Sequence, residues 1–163
     1  MRQTNPPEIK ALFILHIALL IGQILFTLIF LLAAYFRNFT PTSSWQPYYN
    51  QLIILCIAIG VAAYAGGNIL FTKKLEQING YSKSLPEKFN DYRAACITRW
   101  ALMEFAALFC LILFFTTNNF LLLIIGATVM LLFYTTRPSL QKTASDLDIS
   151  EAEIEQMNTT RSK

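Results

Sequence analysis

ALFILHIALLIGQILFTLIFLLAAYF, residues Ala11–Phe36, runs without a single charged side chain. About 20 consecutive apolar residues cross the hydrocarbon core of a bilayer as a helix, so this stretch is long enough for one full span. It follows Arg2 and Lys10 but is about twice the usual apolar length of a signal peptide, and no A-x-A site follows it. It is therefore expected to be a retained first span, not a cleaved leader. Three further runs follow: Leu52–Thr72, Ala94–Thr117 and residues 118–136, the last apolar from Phe120 onward.

Of the 163 residues 55% are hydrophobic and 14% charged, where a soluble domain carries about 25% charged residues. Because the bilayer interior offers the backbone no partner, each span must pair its N–H and C=O groups internally. Four short apolar segments with little Gly or Pro inside them mean helices. The expected fold is an all-α integral membrane protein: a four-transmembrane-helix bundle over residues 1–138, followed by an acidic tail over 139–163. Threading the spans places twelve of the thirteen Lys and Arg residues on one face and only Arg37 on the other. The positive-inside rule then puts both termini in the cytoplasm. The compact architecture points to a bacterial inner membrane.

The polar segments fit that threading. The loop Asn38–Asn50 holds Trp45, Tyr48 and Tyr49, residues that favour the headgroup level. Asn38-Phe39-Thr40 matches a glycosylation sequon by chance. The second helix is expected to continue past the membrane to Asn79, with Gly80 after its end. Ser84 and Glu87 stand at capping-box spacing with Pro86 in the first turn. Helices 2 and 3 thus form a cytoplasmic extension whose lipid- or partner-facing surface carries Lys73, Lys74, Lys83, Lys88 and Arg93. Thr116–Asn119 has room only for a tight turn, which makes helices 3 and 4 antiparallel neighbours. Pro138 ends the fourth span. In the tail, Ser150 and Glu153 repeat the capping-box pattern and predict a short helix over Glu151–Asn158, with Ile154 on its apolar face.

Charged groups at membrane depth usually face a bundle interior or cavity. Glu104 is the one acidic residue within a span and His16 the one histidine of the chain. At about 1.5 Å of rise per residue, His16 lies roughly 9 Å from the cytoplasmic end, and Glu104, Tyr64 and Thr128 roughly 12 Å. An intramembrane polar layer is expected from Glu104, His16, Tyr64 and Thr128, joined by Gln23 on the His16 face. Such a layer holds a bundle in register or binds a proton or cation. On helix 2, Gly60 and Gly67 share one face with Tyr64, while Ala58, Ala62 and Gly66 form a second small-residue stripe. Small residues let membrane helices approach closely, so helix 2 is expected to be central or to mediate association. Cys56 and Cys110 come out at similar depth; buried cysteine packs as a small hydrophobe.

Ala101-Leu102-Met103-Glu104-Phe105-Ala106-Ala107-Leu108-Phe109 resembles the carboxylate helix of rotary-ATPase proteolipid subunits. The likeness covers under a third of the chain, and that family's alternating-glycine run and short polar turn are absent. What the two have in common is small residues around a membrane carboxyl, and no family is assigned. No CxxC pair, metal-ligand spacing or catalytic constellation stands in the sequence, and no cofactor or nucleic-acid partner is expected. The leading expectation is a small non-enzymatic accessory or assembly subunit acting through helix packing, with the lipid bilayer and either a second copy or a membrane-complex partner as its contacts. The alternative is a proton-coupled small transporter or channel subunit using Glu104.

Overall fold

The computed structural model describes residues 7–38, 43–80, 84–150 and 153–154. Every regular element among them is helical: α1 (Pro7–Phe36), a 3₁₀ turn (Ser43–Tyr48), α2 (Tyr49–Gly80), α3 (Leu85–Thr117), α4 (Phe120–Thr135) and α5 (Leu140–Leu147). The first three long helices are each long and apolar enough to cross a membrane. At sixteen residues α4 is only about 24 Å long. It reaches the length of a span only if joined to α5 across a 74° bend.

The helix boundaries follow local chemistry. Before α3, Oε2 of Glu87 accepts from the Ser84 N–H at 3.0 Å and from its hydroxyl at 2.7 Å, so the expected cap forms. Between α3 and α4 the chain turns within two residues. Asn118 adopts φ 52°, and its N–H returns to the Phe114 carbonyl. Asn119 then caps α4 by accepting from the Leu121 N–H at 3.0 Å. Asn tolerates the left-handed conformation better than other non-glycine residues, which makes so tight a reversal feasible. At the far end of α4, Pro138 interrupts the helix and Ser139 restarts it, accepting from the Lys142 N–H at 3.2 Å.

Helix α3 is the hub. Its apolar window is 44% buried, against 17% for α2 and 11% for α1, and it packs on α1, α2 and α4. Of the two alternatives left for helix 2, the central position belongs instead to α3. The packing has three levels. At the loop end, Ala34, Cys56, Cys110, Phe114 and Leu122 cluster, and Cys56 and Cys110 are neighbours, as their matched depth implied. In the middle, Ala63, Ala106, Ala107 and Val129 form a thin layer. A Cβ on Gly126 would sit 3.3 Å from that of Cys110, and one on Gly60 would meet Val129 at 3.1 Å. The backbones therefore approach as closely as these glycines allow.

The tail end is the largest core. Ile9 and Leu12 of α1, Phe71 and Ile78 of α2, Tyr92 and Trp100 of α3, and Phe133 of α4 meet Leu140 and Leu147 of α5, together with Ile154. The tail thus folds back under the bundle. Helix α5 is an addition to what the sequence led us to expect. The capping contacts of the later segment do form, with the Ser150 N–H and hydroxyl both donating to Oε2 of Glu153. The rest of the expected helix over 151–158 lies largely outside the described residues, as does the remainder of the sequon after Asn38.

Candidate functional site

Helix α1 presents one narrow stripe inward, on which His16 and Gln23 are both buried. A seven-residue spacing returns a side chain to the same helix face two turns on. His16 Nε2 lies 3.1 Å from the Phe133 carbonyl oxygen. A carbonyl only accepts, so Nε2 carries the proton. The same oxygen accepts from the Thr136 N–H and hydroxyl. Phe133 stands in the last turn of α4, where carbonyls lack a partner in the helix; His16 therefore helps cap α4 from across the bundle. Its ring stacks on Phe133 at 4.4 Å and meets Trp100 edge-on at 5.0 Å. The other ring nitrogen, Nδ1, is buried without a partner among the described residues, as are both amide atoms of Gln23.

The remaining members of the expected polar layer do not join them. Tyr64 and Thr128 face outward and line a groove of about 230 Å³ between α2 and α4, with Gly60, Ile125 and Val129. The Thr128 hydroxyl is spent on the Ile124 carbonyl of its own helix at 2.9 Å. Glu104 lies partly exposed on the flank of α3, with no hydrogen-bond partner among the described residues. His16 packs at the level of Phe133, five residues along α4 from Thr128, and the directions of the four side chains differ as well. Helix α2 turns Gly60, Ala63 and Gly67 to its neighbours, which leaves Tyr64 at the rim.

The two small-residue stripes of α2 also separate. Gly60 and Gly67 are buried against Val129 and Arg99, whereas Ala58 and Ala62 are exposed, and a Cβ on Gly66 would meet nothing within 4 Å. Lys73, Lys74 and Arg93 are exposed and Lys88 is partly so; Lys83 lies outside the described residues.

One residue escaped the sequence reading. Arg99 counted simply as one of the basic residues at the cytoplasmic ends, yet it stands within the apolar part of α3. Its guanidinium sits 5.2 Å from the centre of the Phe71 ring, and its Nε is buried with no partner among the described residues. The signal was a lone Arg five residues inside the run that starts at Ala94. At the loop end a second guanidinium, that of Arg37, donates to the Phe115 carbonyl and lies 4.5 Å over the Phe115 ring. Tyr49 donates to the Thr117 carbonyl at 3.1 Å. These contacts close the C-terminal end of α3.

Two further hollows open outward. One, of about 470 Å³, lies between α1 and α4 and is almost wholly apolar, bounded by Leu20, Thr27, Leu28, Met130 and Tyr134. The other, of about 320 Å³, lies between α2 and α3 and carries Lys74 and Asp91. Among the described residues no three His, Cys, Asp or Glu side chains gather where a metal ion could be held. No family model, curated protein or solved structure matches the chain.

Proposed function

We propose that this chain is an integral membrane protein, with both termini in the cytoplasm, that acts as a non-enzymatic accessory or assembly subunit through its helix faces. The observation that carries this is the division of labour on α2. One small-residue stripe is used inside the fold, and the other, Ala58, Ala62 and Gly66, is left open along a helix apolar enough to span. In lipid, helices associate by close packing of such faces, so the open stripe suits a helix of a second copy or of a membrane partner. The test compares two glycines by crosslinking in native membranes. Gly66→Leu should abolish the crosslinked species while the protein still accumulates in the membrane. Gly126→Leu should prevent accumulation altogether. A Gly66→Leu protein that retains every crosslink removes the basis for this role.

A second role rests on a different observation, the unpartnered Glu104 carboxyl on an apolar helix. Ionisable residues in that setting mark ion or proton paths, which supports a proton-coupled transporter or channel subunit. Labelling by a hydrophobic carbodiimide, read at Glu104 by mass spectrometry, separates the roles. Labelling that falls as pH rises and is blocked by a cation favours transport. Labelling without pH dependence leaves the accessory role.

A further inference from the structure

The apolar groove between α1 and α4 ends at a cation. Leu20, Ile24 and Leu28 stand on successive turns of α1, and Ala127, Leu131 and Tyr134 on successive turns of α4. Two contacts between these helices give the groove a direction. Thr27 Oγ1 lies 3.8 Å from Met130 Sδ, and His16 meets Phe133 nearer the tail end. The groove therefore runs from Leu28 and Ala127 to Leu20 and Tyr134, about 10 Å along the axis of α4. The Thr27 hydroxyl also turns to the Gln23 carbonyl at 2.8 Å, so it adds little polarity to the walls. Just past the end of α4 stands Arg137. Its Nη1 donates to the Tyr134 hydroxyl at 3.2 Å, and the guanidinium lies 5.5 Å from the centre of that ring. A wall residue of the groove thus holds the cation at its mouth. The other N–H groups of Arg137 have no acceptor among the described residues. A second cation, Lys142, joins Arg137 within electrostatic reach of His16, one turn of α1 before Leu20.

We infer that this groove seats an acyl chain of an anionic phospholipid whose phosphate is held by Arg137. The planar fork of a guanidinium matches the oxygens of a phosphate, and charge-assisted hydrogen bonds of this kind are about twice as strong as neutral ones. The site requires the membrane-spanning reading proposed above. In that reading Tyr134 and Arg137 stand at headgroup level, where Tyr is favoured, and the groove leads from them into the acyl region. Charge selects the headgroup. A phosphoglycerol headgroup brings a net negative charge to Arg137 and Lys142. Phosphoethanolamine and phosphocholine headgroups bring a cation of their own to the same mouth, where it meets like charge.

The test uses the full chain, solubilised in mild detergent and offered an equimolar mixture of phosphatidylglycerol, phosphatidylethanolamine and phosphatidylcholine with identical acyl chains. Bound lipid is read by native mass spectrometry. Phosphatidylglycerol should be retained about fivefold over either competitor, a difference of about 1 kcal/mol. Arg137→Gln should reduce that preference to parity. Ala127→Phe, at an exposed position from which the ring fills the groove, should remove most of the bound phosphatidylglycerol. Equal retention by the unaltered protein, or a preference for either zwitterionic lipid, overturns the assignment whether or not any variant folds. So does a folded Ala127→Phe protein with undiminished binding, or a lipid-free dimer, which would put a second copy in the groove. A preference that survives Arg137→Gln but is lost in the Lys73→Gln, Lys74→Gln double variant belongs to the basic face of α2 and also overturns it. Carbonate washing of membranes is scored separately: a chain that washes off refutes the spanning reading itself, irrespective of lipid adducts.

Discussion

His16 and Gln23 occupy the same stripe of α1, but only His16 has a hydrogen bond there, through one of its two ring nitrogens. His16 adds a third donor to a carbonyl that already accepts from Thr136, so His16→Phe should cost about 0.5–1.5 kcal/mol, the net value of one hydrogen bond. His16→Gln should recover part of that loss, as thermal unfolding in detergent will show. Gln23 is buried with neither amide atom paired among the described residues, and an unpaired buried amide costs about 1–3 kcal/mol. Gln23→Met, which keeps the length of the side chain and removes the amide, should therefore raise the unfolding temperature; a fall would mean that the amide has a partner in the membrane. Both residues were legible in the sequence as polar groups within a span. Their partners were not. Rise per residue fixes depth, but helices apolar nearly all round do not declare which side faces a neighbour. Tyr64 and Thr128 therefore share a groove with each other but not the face that His16 and Gln23 occupy.

Helix α5 had a legible pattern that its polar setting obscured. Leu140, Thr143, Ala144 and Leu147 recur at helical spacing and are all buried, but eight residues in an otherwise charged tail carry little weight in a sequence dominated by long apolar runs. Its docking depends on Tyr92, whose hydroxyl donates to Oδ2 of Asp146 at 3.0 Å, and on Asn79, which donates to the Asp146 carbonyl at 3.1 Å. Tyr92→Phe should release α5 by about 1 kcal/mol, read as faster amide exchange over Leu140–Leu147 with no change in the middle of α3. Beyond α5, the Ser150 N–H and hydroxyl hold the Glu153 carboxyl below its ordinary range. A depressed carboxylate supports the turn above its unfolded pKa and loses that support as pH falls through its folded value. Acidification should therefore lower the protection of the Glu153 and Ile154 amides relative to their intrinsic exchange rates, and Glu153→Gln should remove that pH-dependent loss of protection.

At the scale of the molecule, the N-terminal end of α1, the bend between α4 and α5 and the tail all share one core, while the 3₁₀ turn and the α3–α4 reversal lie at the other end. The first described turn of α1 and the last described residue, Ile154, therefore lie at one end of the bundle. Reporters fused to either terminus should give the same membrane sidedness, and a label at Trp45 the opposite one. The hub helix was not legible, because membership of a centre depends on how the helices pack together. The contact between His16 and Phe133 spans 117 residues, and that shared core also draws in Ile154. During synthesis α1 thus leaves the ribosome long before its partners exist, whereas α2 and α3 can pair as soon as their short connection is made. Of the long helices α1 is the one whose inward stripe is completed last, since His16 gains Phe133 only when α4 has been made.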